Sequence, residues 1–321
     1  MKNLSIKSGL KDHAVLSLFV LFILVMIVFK PSFVSLSNAN NILIDVSIYG
    51  VAAIAMTISI ITGAFDLSLS ANFAWGQIFF CFLLNQWGTT AFGIAASFLV
   101  MLLSCTLIGC LNGLVVVVGG IPPFIATLGM MTIIKGWSLI FTGGNMIATS
   151  NEFVKMMGKG TFLGISYLTY IFIVVVLFAF YVMKFTRFGR NLYATGGNYK
   201  AAELSGIPVK RYRFSIFAIL GFSAGLSGAM FVCLMRAGSV LYGTDLALTC
   251  VAATVIGGTP LSGGEGSVLK TTLGILLIFV LYKGLAFLGL QGYYNTMIRG
   301  IVLLFVVAGN AYMSTMKREA L

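Results

Sequence analysis

Runs of apolar residues long enough to cross a bilayer, separated by short polar breaks, recur along the whole of this chain. Inside hydrocarbon every backbone N–H and C=O must be satisfied within the protein, so such runs can only be helices or closed barrel strands. Their length and lack of alternation select helices. The expectation is an all-α polytopic membrane protein with about ten transmembrane helices, short re-entrant or broken segments, and both termini cytoplasmic. Composition agrees: 59% of the 321 residues are hydrophobic and 9% charged, which excludes a soluble globule. The excess of 20 Lys and Arg over 8 Asp and Glu sits mainly at segment ends, where the positive-inside rule accounts for it, so no nucleic-acid partner is implied.

In chain order, residues 1–13 form a basic cytoplasmic tail, 14–314 a single transmembrane domain, and 315–321 a second cytoplasmic tail with Lys317 and Arg318. Apolar spans are expected at about 14–29, 42–62, 71–87, 92–118, 124–141, 162–183, 214–235, 244–256, 268–290 and 293–313. The fifth and eighth are short or interrupted and are candidates for re-entrant segments. Asp45 is expected at an interface near the start of its span. Gly119 to Pro123 ends a helix by backbone freedom and by two prolines. Residues 142–161 are expected outside the cell.

The long polar interruption with a strong charge bias is Lys184 to Arg213. It holds Lys184, Arg187, Arg190, Lys200, Lys210, Arg211 and Arg213 against one acid, Glu203. Gly196 and Gly197 are expected to break the chain, Asn198 to cap one short helix over 199–204, and Gly206 with Pro208 to stop it. A helix of about two turns is marginal alone and needs a surface to pack on. Two roles fit: a solvated connector that only sets orientation, or a docking element whose small residues Ala201, Ala202 and Gly206 allow close approach.

Small residues at Gly109 and Gly113, at Gly221, Gly225 and Gly228, and at Ala252 and Ala253 suit close helix packing. Two Gly-rich turns, one carrying Asp66 (63–70) and one formed by Gly257, Gly258, Gly263, Gly264 and Glu265, hint at an internal repeat near a transport pathway. Asp66, Glu265 and Asp245 are read as loop carboxylates that cap helices or face water, or else mark that pathway. Lys135, Lys283 and Arg299 either snorkel or pair with a carboxylate. There is no phosphate-binding loop of the Walker type, no nucleophile elbow and no His-Glu-x-x-His, and His13 is the single histidine. Catalysis built on histidine is therefore excluded. The scattered cysteines at 81, 105, 110, 233 and 250 suit neither a disulfide framework nor a zinc site, and no metal or cofactor is expected on this chain.

Several motifs in order along nearly the whole chain resemble the ribose-type sugar permeases of bacterial ATP-binding cassette importers. FDLSLS at 65–70 resembles that family's Asp-Leu-Ser-Val-Gly turn, and PPFIATLGMM at 122–131 its Pro-Ser-Phe-x-x-Thr-Leu-Gly segment. Gly189-Arg190 through AAELSGI at 201–207 resembles the coupling loop, and AATVIGGTPLSGGEGS at 252–267 the Gly-rich signature. The resemblance implies a multi-pass subunit of the bacterial inner membrane that is not itself an enzyme. It also implies a cytoplasmic ATPase with two cassettes that holds the ATP and Mg, and a periplasmic or lipid-anchored substrate-binding protein. A second permease copy, identical or related, would complete the pathway. Asn198, Ala201, Ala202, Glu203, Ser205 and Gly206 would form the ATPase-coupling helix. Departures are Ser70 and Pro123, for a Gly and a Ser, and Ala247 and Thr249, where relatives commonly carry acids. Sugar pathways present aromatics and amides, so Asn72, Trp75, Gln77, Asn112 and Trp137 are candidates to line it, with helix packing as the other role for each. The competing function is a secondary carrier for a small polar solute, driven by an ion gradient. A membrane enzyme would need a cluster of catalytic groups absent here.

Overall fold

The computed structural model describes residues 22–290 together with Tyr294, Met297, Gly300 and Ile301. The two tails, His13, Arg299, the start of the first expected span and most of the tenth lie outside the described residues.

Residues 22–29 are helical and lead through a 3-10 turn at Pro31–Val34 into α1 (Leu36–Ile61). There follow α2 (Leu69–Trp87), α3 (Ala91–Val117) and α4 (Pro123–Thr142). A loop with strand β1 (Ile147–Ala148), the short α5 (Glu152–Lys159) and the hairpin β2 (Thr161–Phe162) with β3 (Ile165–Ser166) connects to α6 (Tyr167–Phe185). Then come α7 (Arg187–Gly197), α8 (Tyr199–Leu204), α9 (Val209–Met235), β4 (Ala237–Gly238), α10 (Leu246–Ile256) and α11 (Val268–Phe287). Side-chain caps explain several starts: Ser35, Thr90, Ser166, Thr186 and Ser267 each accept a backbone N–H from the first turn of the helix that follows.

Among the described residues six helices are long and apolar enough to cross a membrane: α1, α3, α4, α6, α9 and α11. Helices α1 and α9 are 83% and 78% buried over their most apolar stretch, against 28% for α3 and 17% for α4. The first two therefore form the centre of the bundle and the last two its rim. The exposed stripe Leu99, Leu103, Leu107, Leu111 and Leu114 on α3 recurs at three- and four-residue steps, as a lipid-facing side requires. The less apolar α2 packs between α3 and α9, and this buried position explains how it carries Asn72 and Gln77.

Glycines set the closest helix crossing. A Cβ at Gly109 would lie 3.0 Å from the Gly221 Cα and would collide with the Phe217 carbonyl, so α3 and α9 meet backbone to backbone, as small-residue packing predicts.

The two segments that could be re-entrant differ in the structure. Segment five is a continuous 20-residue helix and is long enough to cross without re-entry. Segment eight is helical over only 11 residues, about 16 Å at the α-helical rise and about half of a hydrocarbon core. The preceding residues are not helical. β4 pairs antiparallel with β1, setting Ile147 opposite Gly238, and the chain then runs back along α2: a Cβ at Gly238 would meet Gln77, one at Gly243 would meet Phe73, and the Ala247 N–H donates to Ser70 Oγ at 2.9 Å. The helical part is thus preceded by a two-residue strand and a run of turns that lie along α2, not by further helix.

Candidate coupling surface and polar interior

One end of the bundle gathers the turn after α1, the Gly119–Pro123 turn, α7, α8 and the Gly257–Gly266 turn. The sequence leads to one short helix between 184 and 213, and there are two. Gly196 and Gly197 do not break the chain but close the last turn of α7. A Cβ at Gly196 would strike the Ile61 carbonyl and lie 2.9 Å from the Gly264 N, while that Gly264 N–H donates to Ile61 O at 2.8 Å. The missing side chain lets the ends of α1 and α7 and the Gly-rich turn meet at one point. Tyr193 Oη adds a bond to Gly266 O at 2.9 Å, so displacement of this loop reaches α1, α10 and α11 directly.

Helix α8 is closed at both ends as expected. Asn198 Oδ1 accepts the Ala201 N–H at 2.9 Å. At the other end Gly206, with φ of 79°, lets its own N–H reach Glu203 O and the Ile207 N–H reach Ala202 O, the paired bonds of a Schellman cap. The helix is fastened by one side: Ala202 is buried, whereas Ala201, Glu203, Ser205 and Gly206 are exposed. Leu204, not among the residues expected to couple, is 83% exposed. An apolar side chain next to a terminal glycine has no signature; only the direction in which it projects marks it.

The two Gly-rich turns end their helices in one kind of cap, but α8 ends the same way at Gly206, so the cap does not mark an internal repeat. Gly63 and Gly258 both have positive φ, Ala64 N–H donates to Ser59 O as Thr259 N–H does to Thr254 O, and both helices end in the same cap. Glu265 is exposed, consistent with a solvent-facing carboxylate, but Asp66 faces no water, being 2% exposed. Asp66 accepts the Ser68 N–H at 2.7 Å and Asn112 Nδ2 at 3.2 Å, and the same amide also donates to Ser68 Oγ at 2.7 Å. Burial pushes the Asp66 carboxyl above its ordinary range, against the opposing effect of these bonds. Nearby, the hydroxyls of Thr57, Thr254 and Thr271 join α1, α10 and α11 at 2.8–2.9 Å.

Of the pathway candidates, four are buried along α2 and α3. Asn72 Nδ2 donates to Cys105 O at 3.0 Å. Trp75 Nε1 donates to Ser104 Oγ at 2.8 Å while its ring stacks on Phe79 with centroids 5.0 Å apart. Gln77 is fully buried and neither end of its amide has a protein partner; Asn72 Oδ1 and Asn112 Oδ1 are likewise unpartnered. Trp137 is not with them: it projects from the exposed side of α4, as do Thr132 and Lys135. Asp45 lies in the third turn of α1, where Lys283 of α11 pairs with it at 2.8 Å, the carboxylate pairing expected as one role for that lysine. Of the departures from the family motif, Ser70 and Ala247 prove to be bonded to each other.

The family model described as branched-chain amino acid transport system / permease component matches residues 38–307. The chain belongs to this family. The permease is 37% identical to the ribose import permease protein of Bacillus subtilis (strain 168), over 91% of this chain and 90% of the relative. It is 31% identical to the L-arabinose ABC transporter permease protein of Azospirillum brasilense, over 90% of this chain and 84% of the relative. The galactose/methyl galactoside import permease protein of Escherichia coli (strain K12) is also 31% identical, covering 90% of each chain. The permease is accordingly the transmembrane subunit of an ATP-driven importer, a multi-pass protein of the bacterial inner membrane.

Proposed function

We propose that the permease moves a monosaccharide or a related small polar solute, delivered by an extracytoplasmic binding protein, through a pathway it forms with a second permease copy. The end bearing α7 and α8 faces the cytoplasm. There α8 seats in a cleft of an ATPase with two cassettes, which holds the ATP and Mg. Ten crossings, one of them the broken segment 237–256, place both termini on that side, in keeping with the basic loop.

The observation that carries this reading is the pairing of a rigidly capped α8 that presents Leu204 and Glu203 outward with the junction of Gly196, Ile61 and Gly264 behind it. A push on α8 is then delivered to helices α1, α10 and α11, whose polar contacts lie in the bundle interior. Asn198, Ala201, Ala202, Ser205 and Gly206 shape and hold this element. The second copy is supported by α4: Lys135 is exposed within this span, where a cation facing lipid is costly, whereas a polar pathway between two copies accommodates it. The amides of Asn72, Gln77 and Asn112 on the interior side are the groups that a sugar hydroxyl would use once the pathway opens.

The test is purification of the tagged permease and ATPase assay with sugar-loaded binding proteins. A stoichiometric ATPase stimulated by one loaded binding protein is expected. Glu203→Lys is expected to abolish that stimulation while leaving insertion intact. A permease that purifies alone and transports on an ion gradient would replace this reading with that of a secondary carrier.

A further inference from the structure

At the basic end, Val116, Val117, Ile121, Tyr199, Lys210 and Arg213 line an open cavity of about 270 Å³. That volume exceeds the ~30 Å³ share of a water molecule by enough to hold a phosphate with its ester carbons. We propose that it binds the phosphate of an anionic phospholipid headgroup. This site is distinct from the ATPase-facing side of α8 and does not rest on the importer reading.

Four features converge on it. Arg213 buries its Nε without an acceptor, and its guanidinium stands 5.8 Å from the centroid of the Tyr199 ring. Lys210 adds a second cation, and neither cation has a carboxylate partner among the described residues. Helix α4 begins at Pro122 and Pro123, and helix α9 begins at Pro208, just before Lys210; neither start has a side-chain cap. The start of α4 brings the positive end of its helix dipole to this space, whereas the first N–H of α9 is already taken by Ile207 O. Two cations and the unpartnered Arg213 Nε–H, with no acid among them, fit a phosphate oxyanion.

The level of the cavity selects the source of that phosphate. Phe124 and Ile125, immediately after Pro123, are exposed and apolar, and α9 turns apolar from Phe214 onward. The exposed stripe of α3 likewise ends at Val118 beside it, so the cavity lies at the level where the apolar lengths of α3, α4 and α9 end, the depth of headgroups rather than of bulk solvent. Val116, Val117 and Ile121 supply apolar wall for the glycerol and first acyl carbons. A basic pocket between helices at this depth is the arrangement expected for an anionic headgroup. Because Tyr199 opens α8, an occupied cavity would hold the first residue of that helix.

The experiment is lipid titration of the purified full-length permease, read by native mass spectrometry, with phosphatidylglycerol, phosphatidylcholine and, in a separate arm, inorganic phosphate. Two basic side chains at about fivefold each predict phosphatidylglycerol binding about 30-fold tighter than phosphatidylcholine. Lys210→Gln with Arg213→Gln is expected to remove that preference, and Arg187→Gln, an equal change of charge per residue outside the cavity, to keep it. If the double variant does not fold, Ile121→Trp fills the cavity with both cations in place and is expected to have the same effect. A preference that survives both variants overturns the proposal. So does inorganic phosphate binding that depends on Lys210 and Arg213 without any preference for phosphatidylglycerol.

Discussion

Leu204→Ala separates docking from folding. Leu204 exposes 83% of its surface while Ala202, on the same short helix, exposes 5%. Burying a whole leucine side chain is worth about 1.5–3 kcal/mol, and almost none of that is used within the permease itself. If the ATPase cleft covers Leu204, truncation to Ala removes most of the side chain and about 1.5–2 kcal/mol of association, or roughly 10- to 30-fold in Kd. The permease loses no packing, so its own stability is expected to change by less than about 0.5 kcal/mol. Ala202→Leu is the converse: a larger side chain forced against a packed surface costs about 1–3 kcal/mol and lowers the melting temperature. The assay is titration of the ATPase subunit onto the permease in lipid nanodiscs, with thermal melting of the permease alone. An ATPase affinity unchanged by Leu204→Ala would refute the docking argument, and a lowered melting temperature in that variant would show that Leu204 packs within the permease.

Three further outcomes are expected. Asp45→Asn leaves Lys283 without its carboxylate and is expected to cost about 2 kcal/mol, below the ~3–5 of a fully buried pair because both side chains are partly exposed; melting of the single variant, compared with one that also carries Lys283→Met, measures it. Gly221→Val places a side chain against the Cys105 carbonyl and the Gly109 backbone, so α3 and α9 must part, and a loss of about 1–3 kcal/mol is expected in the same measurement. Because the Asp66 pKa is raised from 3.8 by burial, its contribution to stability is full below that value and declines as pH rises through the raised one; melting followed against pH should show a decline that Asp66→Asn flattens, and identical profiles would place Asp66 in contact with water.

The elements legible in the sequence are those fixed by neighbours along the chain. The apolar runs foretold the long helices because hydrocarbon leaves the backbone no other way to satisfy its donors. Asn198 and Gly206 foretold both ends of α8 because a cap is made within a few residues of its helix. The same local logic failed at Gly196 and Gly197, where glycine serves a crossing with Ile61 and Gly264 rather than a break.

What only the tertiary structure decided are the contacts between residues far apart in sequence. Hydropathy does not say where an apolar stretch stops being helical, so the short strand and turns at 237–245 became visible only where they lie along α2. An acid in a turn reads as solvated until Asn112 and Ser68 close over it, as they do on Asp66. Trp137 and Gln77 are both polar-tipped residues of apolar helices, yet one faces out and the other is sealed inside. Composition determines that each helix forms, because its hydrogen bonds are its own; which side of it meets a neighbour is set by packing among all the helices, information that no single stretch of sequence contains.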